Sequence, residues 1–433
     1  MSFAKDAGRI RDLCNRIADG SLTAEALVER CLARIAEVDG KVQAWLHIQS
    51  AEARAAARTL DAETKAGRRR GPLHGIPVAV KDVIDVKGLP TRANSKSRAN
   101  VGPASADATV VAHLRAAGAI ILGKVHTTEY AYYESIPPTR NPHDLTRTPG
   151  GSSAGSAAAV ASGAVPLALG TQTAASVNRP AAYCGIGAFK PSTLSIGGAG
   201  MVPLAPSFDT CGALGATAQD AAYLAAGYAA DHLGLSRPLP VTMPEIIVIR
   251  DEIIKTRIAK ASADRVAALT QSLTRAGLAV TERESPVSLE EIRLVHRQVM
   301  VAELGRAHGA LPRELLAPRL AADIAEGVAI SDADYHSALH QLMLFRRRFW
   351  PSFGPNAVLL LPATPDVAPA DGTTGDGTFI IPTTALGGAV ATVRAGFAAD
   401  TNMPVGALLL VAPGQDARLA GFLMSETATA LDL

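Results

Sequence analysis

From residue 71 onward the chain alternates short apolar runs with stretches of helical spacing, and this alternation limits the fold more than any other feature. Strands are expected at 76–80, 119–122, 166–169, 246–249, 358–361 and 407–411. Helices are expected at 108–117, 153–162, 216–229, 257–276 and 415–430. The pattern argues for an α/β sheet with helices on its faces. The first sixty-odd residues read as helix, with Leu27, Cys31, Leu32 and Ile35 on one face and either Ser21 or Thr23 as cap, packing outside the core. There is no internal repeat, and the Pro, Ala, Asp, Gly and Thr of 365–377 read as one long loop.

At 433 residues the chain could hold about three units at ~150 residues each, although α/β folds of this size often form one. Apolar residues make up 48% and charged residues 19%, which excludes intrinsic disorder. The formal charge of +2 is spread thinly, so neither nucleic-acid nor membrane binding is expected. The runs Arg68-Arg69-Arg70 and Arg346-Arg347-Arg348 read as solvated helix faces or loops. Residues 1–20 lack an apolar signal core and no 18-residue apolar run follows, so a cytoplasmic protein is expected.

Several motifs fail on physical grounds. Cys14, Cys31, Cys184 and Cys211 form no CxxC pair, which argues for free thiols. His336 and His340 stand four apart, but Ser337 takes the place of the glutamate that a zinc-protease helix needs, and no metal is expected. Gly118-Ala119-Ile120-Ile121-Leu122-Gly123-Lys124-Val125 nearly spells a phosphate-binding loop, yet it lacks the terminal Ser or Thr and its interior suits a strand. Gly151-Ser152-Ser153-Ala154-Gly155 matches a nucleophile elbow, but the polar loop before it is no buried strand, so His232, His296 or His336 as its base is disfavoured.

What remains is two small-residue stretches, Gly150-Gly151-Ser152-Ser153-Ala154-Gly155-Ser156 and the segment 170–180. Small residues let backbone N–H groups approach a substrate closely, as an oxyanion hole requires. Each stretch alone also reads as a helix N-terminus or a turn.

Four segments in order carry a resemblance: Gly75-Ile76-Pro77-Val78-Ala79-Val80-Lys81-Asp82, Pro149 through Ser156, Gly170 through Pro180, and Gly187-Ala188-Phe189-Lys190-Pro191. Together they resemble the amidase signature family, most densely over 71–220, and within it malonamidase and its relatives. The resemblance implies a central mixed β-sheet covered on both faces by helices, in one domain over 1–433. Within it, 1–65 would pack as N-terminal helices, 71–220 would hold the catalytic region, and 240–433 would shape the substrate pocket.

It further implies a Ser-cisSer-Lys triad, with Ser176 as nucleophile, Ser152 as bridge and Lys81 as base. The amides of Thr173, Ala174, Ala175 and Ser176 would form the oxyanion hole, and no cofactor would be needed. The chemistry is sound in itself: lysine is a base only when neutral, and burial lowers its pKa. The expected reaction cleaves the C–N bond of a small amide or urea-like substrate through an acyl-enzyme, releasing ammonia or an amine.

The chain departs from the family pattern in places. Ala174-Ala175 stands where relatives carry Gly-Gly. If either backbone needs a positive φ, alanine misplaces the oxyanion donors; if φ is negative, the methyls only narrow the pocket. Asn178 stands where many relatives place arginine, with Arg179 one position later, and Leu408 replaces a glutamine. The segment 385–389 lacks an expected proline-rich turn. Arg179 either holds a substrate carboxylate, as the matching arginine does in malonamidase-like relatives, or ties the loop to the sheet. The helical segments 1–65 and 288–348 would wrap the core or form a homodimer interface. Two other functions stay open: an amidase subunit of a larger amidotransferase or hydrolase complex with a small partner, and a degenerate binding protein.

Overall fold

The computed structural model describes residues 2–133, 135–231, 233–234 and 243–433. Eleven strands join in one mixed sheet. In chain order they are β1 (Trp45–Ile48), β2 (Pro77–Lys81), β3 (Ile120–Val125), β4 (Leu167–Gln172), β5 (Gly187–Lys190), β6 (Thr210–Gly215), β7 (Glu245–Arg250), β8 (Ala279–Glu284), β9 (Ala357–Pro362), β10 (Val390–Phe397) and β11 (Pro404–Leu410). Their spatial order is β1-β3-β2-β4-β6-β5-β10-β11-β9-β7-β8. The pairs β2–β3, β2–β4, β7–β9 and β7–β8 are parallel, and the remaining neighbours are antiparallel.

The apolar runs are continuous because helices cover both faces of the sheet. Side chains alternate across a strand. In β9, Val358 and Leu360 enter one hydrophobic cluster while Leu359 and Leu361 enter another; in β11, Ala407 and Leu409 part from Leu408 and Leu410 in the same way. Each of the six expected strands is present. The strands without an apolar run are those that packing makes. β5 and β6 are glycine-bearing and buried throughout, and a Cβ on Gly187 would lie 1.8 Å from the carbonyl carbon of Thr217. β8 is an exposed edge whose Thr281, Glu282, Arg283 and Glu284 give no buried face.

The N-terminal segment is helical at Ile10–Ala18, Ala24–Val42 and Ser50–Lys65, but the aromatic and β-branched residues of β1 interrupt it and pair antiparallel with β3. Thr23 is the cap, accepting from the Ala26 N–H at 3.1 Å. The helix expected at 257–276 is present at Lys260–Arg275, whereas the stretch expected at 415–430 is broken into two, Asp416–Leu423 and Glu426–Ala430. Ser425 starts the last helix by accepting from the Ala428 N–H at 3.3 Å. Arg346 leaves its expected solvated position: it is half-buried and donates to the Ala385 carbonyl at 2.8 Å. Among the described residues no helix is long and apolar enough to cross a membrane.

Parallel β2 and β4 end on the same edge, so Lys81 at the end of one strand lies beside Thr171 near the end of the other. The carboxyl ends of parallel strands are where open α/β sheets place their sites. Burial on both faces has a direct test. Leu360→Ala and Leu361→Ala, pointing to opposite faces and at most 1% exposed, should each lower unfolding free energy by about 2–5 kcal/mol in denaturant titrations. A loss confined to one of them would mean that one face is open.

Candidate active site

Lys81 is fully buried and has no ion-pair partner among the described residues. Its Nζ lies 2.7 Å from Ser152 Oγ, 2.8 Å from Thr171 Oγ1 and 3.3 Å from the Thr171 carbonyl oxygen. Burial lowers its pKa to about 7, against the pull of Asp209 and then Cys211. A neutral amine keeps a lone pair, so the Ser152 hydroxyl can then donate to it.

Ser152 follows a cis peptide bond, Gly151–Ser152, just before the helix Ala154–Ala161. Ser153, the central serine of the elbow-like motif, is fully buried, and its Oγ accepts from the Thr171 N–H at 3.3 Å. Gly170 permits this contact, since a Cβ there would stand 2.7 Å from Ser153 Oγ. The Ser153 N–H donates to the Ser176 carbonyl at 3.2 Å, which joins the two small-residue stretches. The Ser176 hydroxyl makes no hydrogen bond among the described residues.

The loop at 173–176 is held through its carbonyls. His296 Nε2 donates to the Thr173 oxygen at 2.8 Å, Thr384 Oγ1 to the Ala174 oxygen at 2.6 Å, and the Arg179 N–H to the Ala175 oxygen at 2.9 Å. Burial lowers the His296 pKa to about 4, which keeps the ring neutral. In a trans peptide the N–H points opposite to the C=O. The N–H groups of Thr173, Ala174, Ala175 and Ser176 find no acceptor among the described residues. Neither alanine adopts a positive φ, so of the two readings the methyls that narrow the pocket apply. Gln172 braces the far end: its Oε1 accepts from the Val177 and Asn178 N–H groups at 2.8 and 3.0 Å, and its Nε2 donates to Asn178 Oδ1 at 2.7 Å.

Arg179 is 3% exposed and donates to the Gly151 carbonyl at 2.7 and 3.2 Å and to the Gly375 carbonyl at 2.7 Å. No carboxylate partners it among the described residues. It lines a cavity of about 790 Å³ together with Arg293, Arg297 and Arg319, where Asp376 is the only acid among the described residues. Arg293 and Arg297 already hold Glu290 and Glu326.

A family model for Amidase matches residues 26–420. The chain belongs to the Amidase family. It is 45% identical over 218 residues to a glutamyl-tRNA(Gln) amidotransferase subunit from Anaeromyxobacter sp. (strain K), a match covering 49% of this chain and 44% of that protein. The chain thus matches less than half the length of that relative. A protein of the same name from Thermobifida fusca (strain YX) is 33% identical over 453 residues, covering 92% of this chain and 90% of that protein. A crystal structure described as an amidase superposes with a TM-score of 0.86 at 30% identity, covering 96% of this chain and 99% of that one. The chain has the mixed α/β fold that the resemblance implied.

Lys81, Ser152, the 173–176 loop and Arg179 therefore come together. The roles of His296 and Thr384 had no local signal, because each reaches the loop from a distant segment. The histidines suggested for a hydrolase elbow do not serve one: His296 holds a carbonyl, His336 is exposed, and His232 lies outside the described residues. All four cysteines are buried and free. His340 is exposed like His336, and among the described residues no cluster of His, Cys, Asp or Glu could hold a metal. The near-P-loop is strand β3, with Lys124 Nζ paired to Asp82 at 2.9 Å.

The Ala175 methyl occupies space left open by Gly377, where an added Cβ would lie 2.7 Å away. Gly377→Ala should therefore destabilise the fold by about 1–3 kcal/mol in thermal or denaturant unfolding. Adding Ala175→Gly in the same chain should recover most of that loss, and strict additivity of the two changes would show that they do not meet.

Proposed function

We propose that this enzyme cleaves the C–N bond of a small amide or urea-like substrate carrying a carboxylate, such as a dicarboxylic monoamide, through Ser176, Ser152 and Lys81. The observation that carries the reading is the buried Lys81 amine, with a pKa of about 7, at 2.7 Å from Ser152 Oγ. Neutral Lys81 takes the proton of Ser152, which takes that of Ser176. The contact between the two serines closes when substrate arrives, since catalytic hydrogen bonds are commonly loose without it. Ser176 Oγ bonds to the carbonyl carbon, and the resulting oxyanion faces the free N–H groups of Thr173, Ala174, Ala175 and Ser176. The proton returns through Ser152 to the nitrogen as the C–N bond breaks, and water then hydrolyses the acyl-enzyme. No step calls on a cofactor.

Arg179 supports the carboxylate. A buried guanidinium that, among the described residues, has no carboxylate in ion-pair contact and leaves two of its five N–H donors unused beside a cavity suits an anionic substrate group. We further propose a homodimer or a small partner subunit. The likeness to an amidotransferase subunit over 90% of the Thermobifida fusca protein supports the partner. Co-purification of a second chain that raises turnover would establish it.

Ammonia or amine release should disappear in Ser176→Ala and Lys81→Ala, by about 10³-fold or more. Because the protonated lysine cannot accept a proton, kcat/KM should fall as pH drops below about 7 and level off above it. A wild-type profile flat from pH 5 to 9 would remove Lys81 as the base. Arg179→Ala should raise KM for carboxylated amides by about 10- to 100-fold. Unchanged kinetics would leave Arg179 as a tie between loops.

A further inference from the structure

Thr173 stands between two cavities. Its carbonyl accepts from His296, which lines the 790 Å³ cavity with Arg179 and Gly377. Thr173 itself also lines a second cavity of about 280 Å³, walled by Leu194, Ile196, Met201, Leu204 and Pro206. Residues 130–133 divide the cavities in the same way, with Ala131 on the smaller and Tyr133 on the larger. Tyr130 and Ala131 hold positive φ angles of 48° and 59°. The smaller cavity also reaches Thr171, the partner of Lys81, so it abuts the proposed proton relay.

The two cavities differ in charge. Among the described residues the larger is lined by four arginines and one acid, whereas Asp209 is the only charged residue lining the smaller. Burial raises the Asp209 pKa. Against that rise, Asp209 accepts from the Thr173 hydroxyl and from the N–H groups of Leu204 and Ala205 at 2.8 and 3.1 Å, donors that favour the carboxylate form. Every other lining residue is an apolar residue, a glycine or a threonine. The scissile bond would thus lie between a cationic chamber and an apolar one with an acidic corner.

Resting on the reading of the site above, we propose that the smaller cavity receives the leaving amine, so that the preferred substrates are N-alkyl amides whose amine carries an unbranched apolar chain. With a liquid water, about the size of a methylene, occupying ~30 Å³, the cavity has room for a chain of at most about nine carbons. The chemistry balances without a further reagent. The Ser176 Oγ–carbon bond forms as the carbon–nitrogen bond breaks, and the nitrogen takes back the proton that Lys81 received. The neutral amine leaves past Leu194, 70% exposed at the rim, and becomes a cation in water that Asp209 faces on the way out.

Two measurements test this. In the first, succinamate and its N-methyl, N-butyl, N-hexyl and N-dodecyl derivatives are compared on the wild-type enzyme and on Leu194→Arg. The expected kcat/KM rises by about fourfold per buried methylene towards the butyl and hexyl members and collapses at dodecyl. The same ratio of N-butyl to primary amide should fall at least tenfold in Leu194→Arg, whose exposed position spares the fold. A primary amide preferred over every N-alkyl member overturns the proposal.

In the second, n-hexylamine is titrated calorimetrically into the Ser176→Ala enzyme, where turnover plays no part. Binding at least tenfold tighter than that of methylamine, and lost in the added Leu194→Arg, is expected. Equal or absent binding of the two amines overturns the proposal whatever the acyl group is. Hexylamine binding together with inert succinamates would instead count against the carboxylate in the function proposed above.

Discussion

The burial of Lys81 without a carboxylate is the constraint on which the rest of the site depends. Lys81 ends β2, Lys124 stands one residue before the end of the neighbouring parallel strand β3 and level with Val80, and the sheet treats the two lysines differently. Lys124 meets Asp82 at 2.9 Å, whereas Lys81, the residue just before that aspartate, meets only hydroxyl and carbonyl oxygens. Adjacent side chains on a strand point to opposite faces, so Asp82 serves Lys124 and is turned from Lys81. Burial lowers the pKa of both amines, but an ion pair stabilises the charge only of Lys124. Leaving Lys81 unpaired is costly to the fold, and the apolar strands of β9 and β11 supply the burial that offsets it.

That arrangement needs backbone to approach backbone, which explains the small residues around it. The helix Ala154–Ala161 is buried at every position and carries nothing larger than valine. At Gly155 a Cβ would stand 2.4 Å from the His126 nitrogen and 2.6 Å from the Ala44 oxygen, so the helix sits directly on the backbone of those two residues. With it seated so deep, Ser152 and Ser153 reach Lys81 and Thr171 across the end of the sheet. The glycine and alanine that look like low-information spacing in the sequence are the reason the hydroxyls can meet the amine.

How much of this was legible followed from where each signal lies. The strands with continuous apolar runs, 358–361 among them, stand in the structure because burial on both faces writes itself into local composition. β5 and β6 do not announce themselves, since Gly187 is set by the backbone of Thr217 thirty residues away and a glycine carries no record of what it touches. Lys81, Ser152 and Ser176 were legible as motifs within short segments. His296 and Thr384, which hold the carbonyls of Thr173 and Ala174, come from helices that share no pattern with the loop they orient. The consequence of Ala174-Ala175 depended on φ and on the gap at Gly377, and neither is written in the alanines themselves.

Arg179 shows why its two readings, a carboxylate ligand and a structural tie, need not exclude one another. Its guanidinium spans the carbonyl of Gly151, next to the bridging serine, and that of Gly375, in the loop that walls the larger cavity. Three N–H groups are used in that span, and the planar fork fixes where the remaining two point. A lysine could supply the charge but not both tethers together with a directed pair of donors. The same bonds that hold the 372–378 loop beside Gly151 therefore fix the guanidinium at the wall of the cavity, and under the proposed function a substrate anion held there would be placed relative to Ser152 by the rigidity of one side chain.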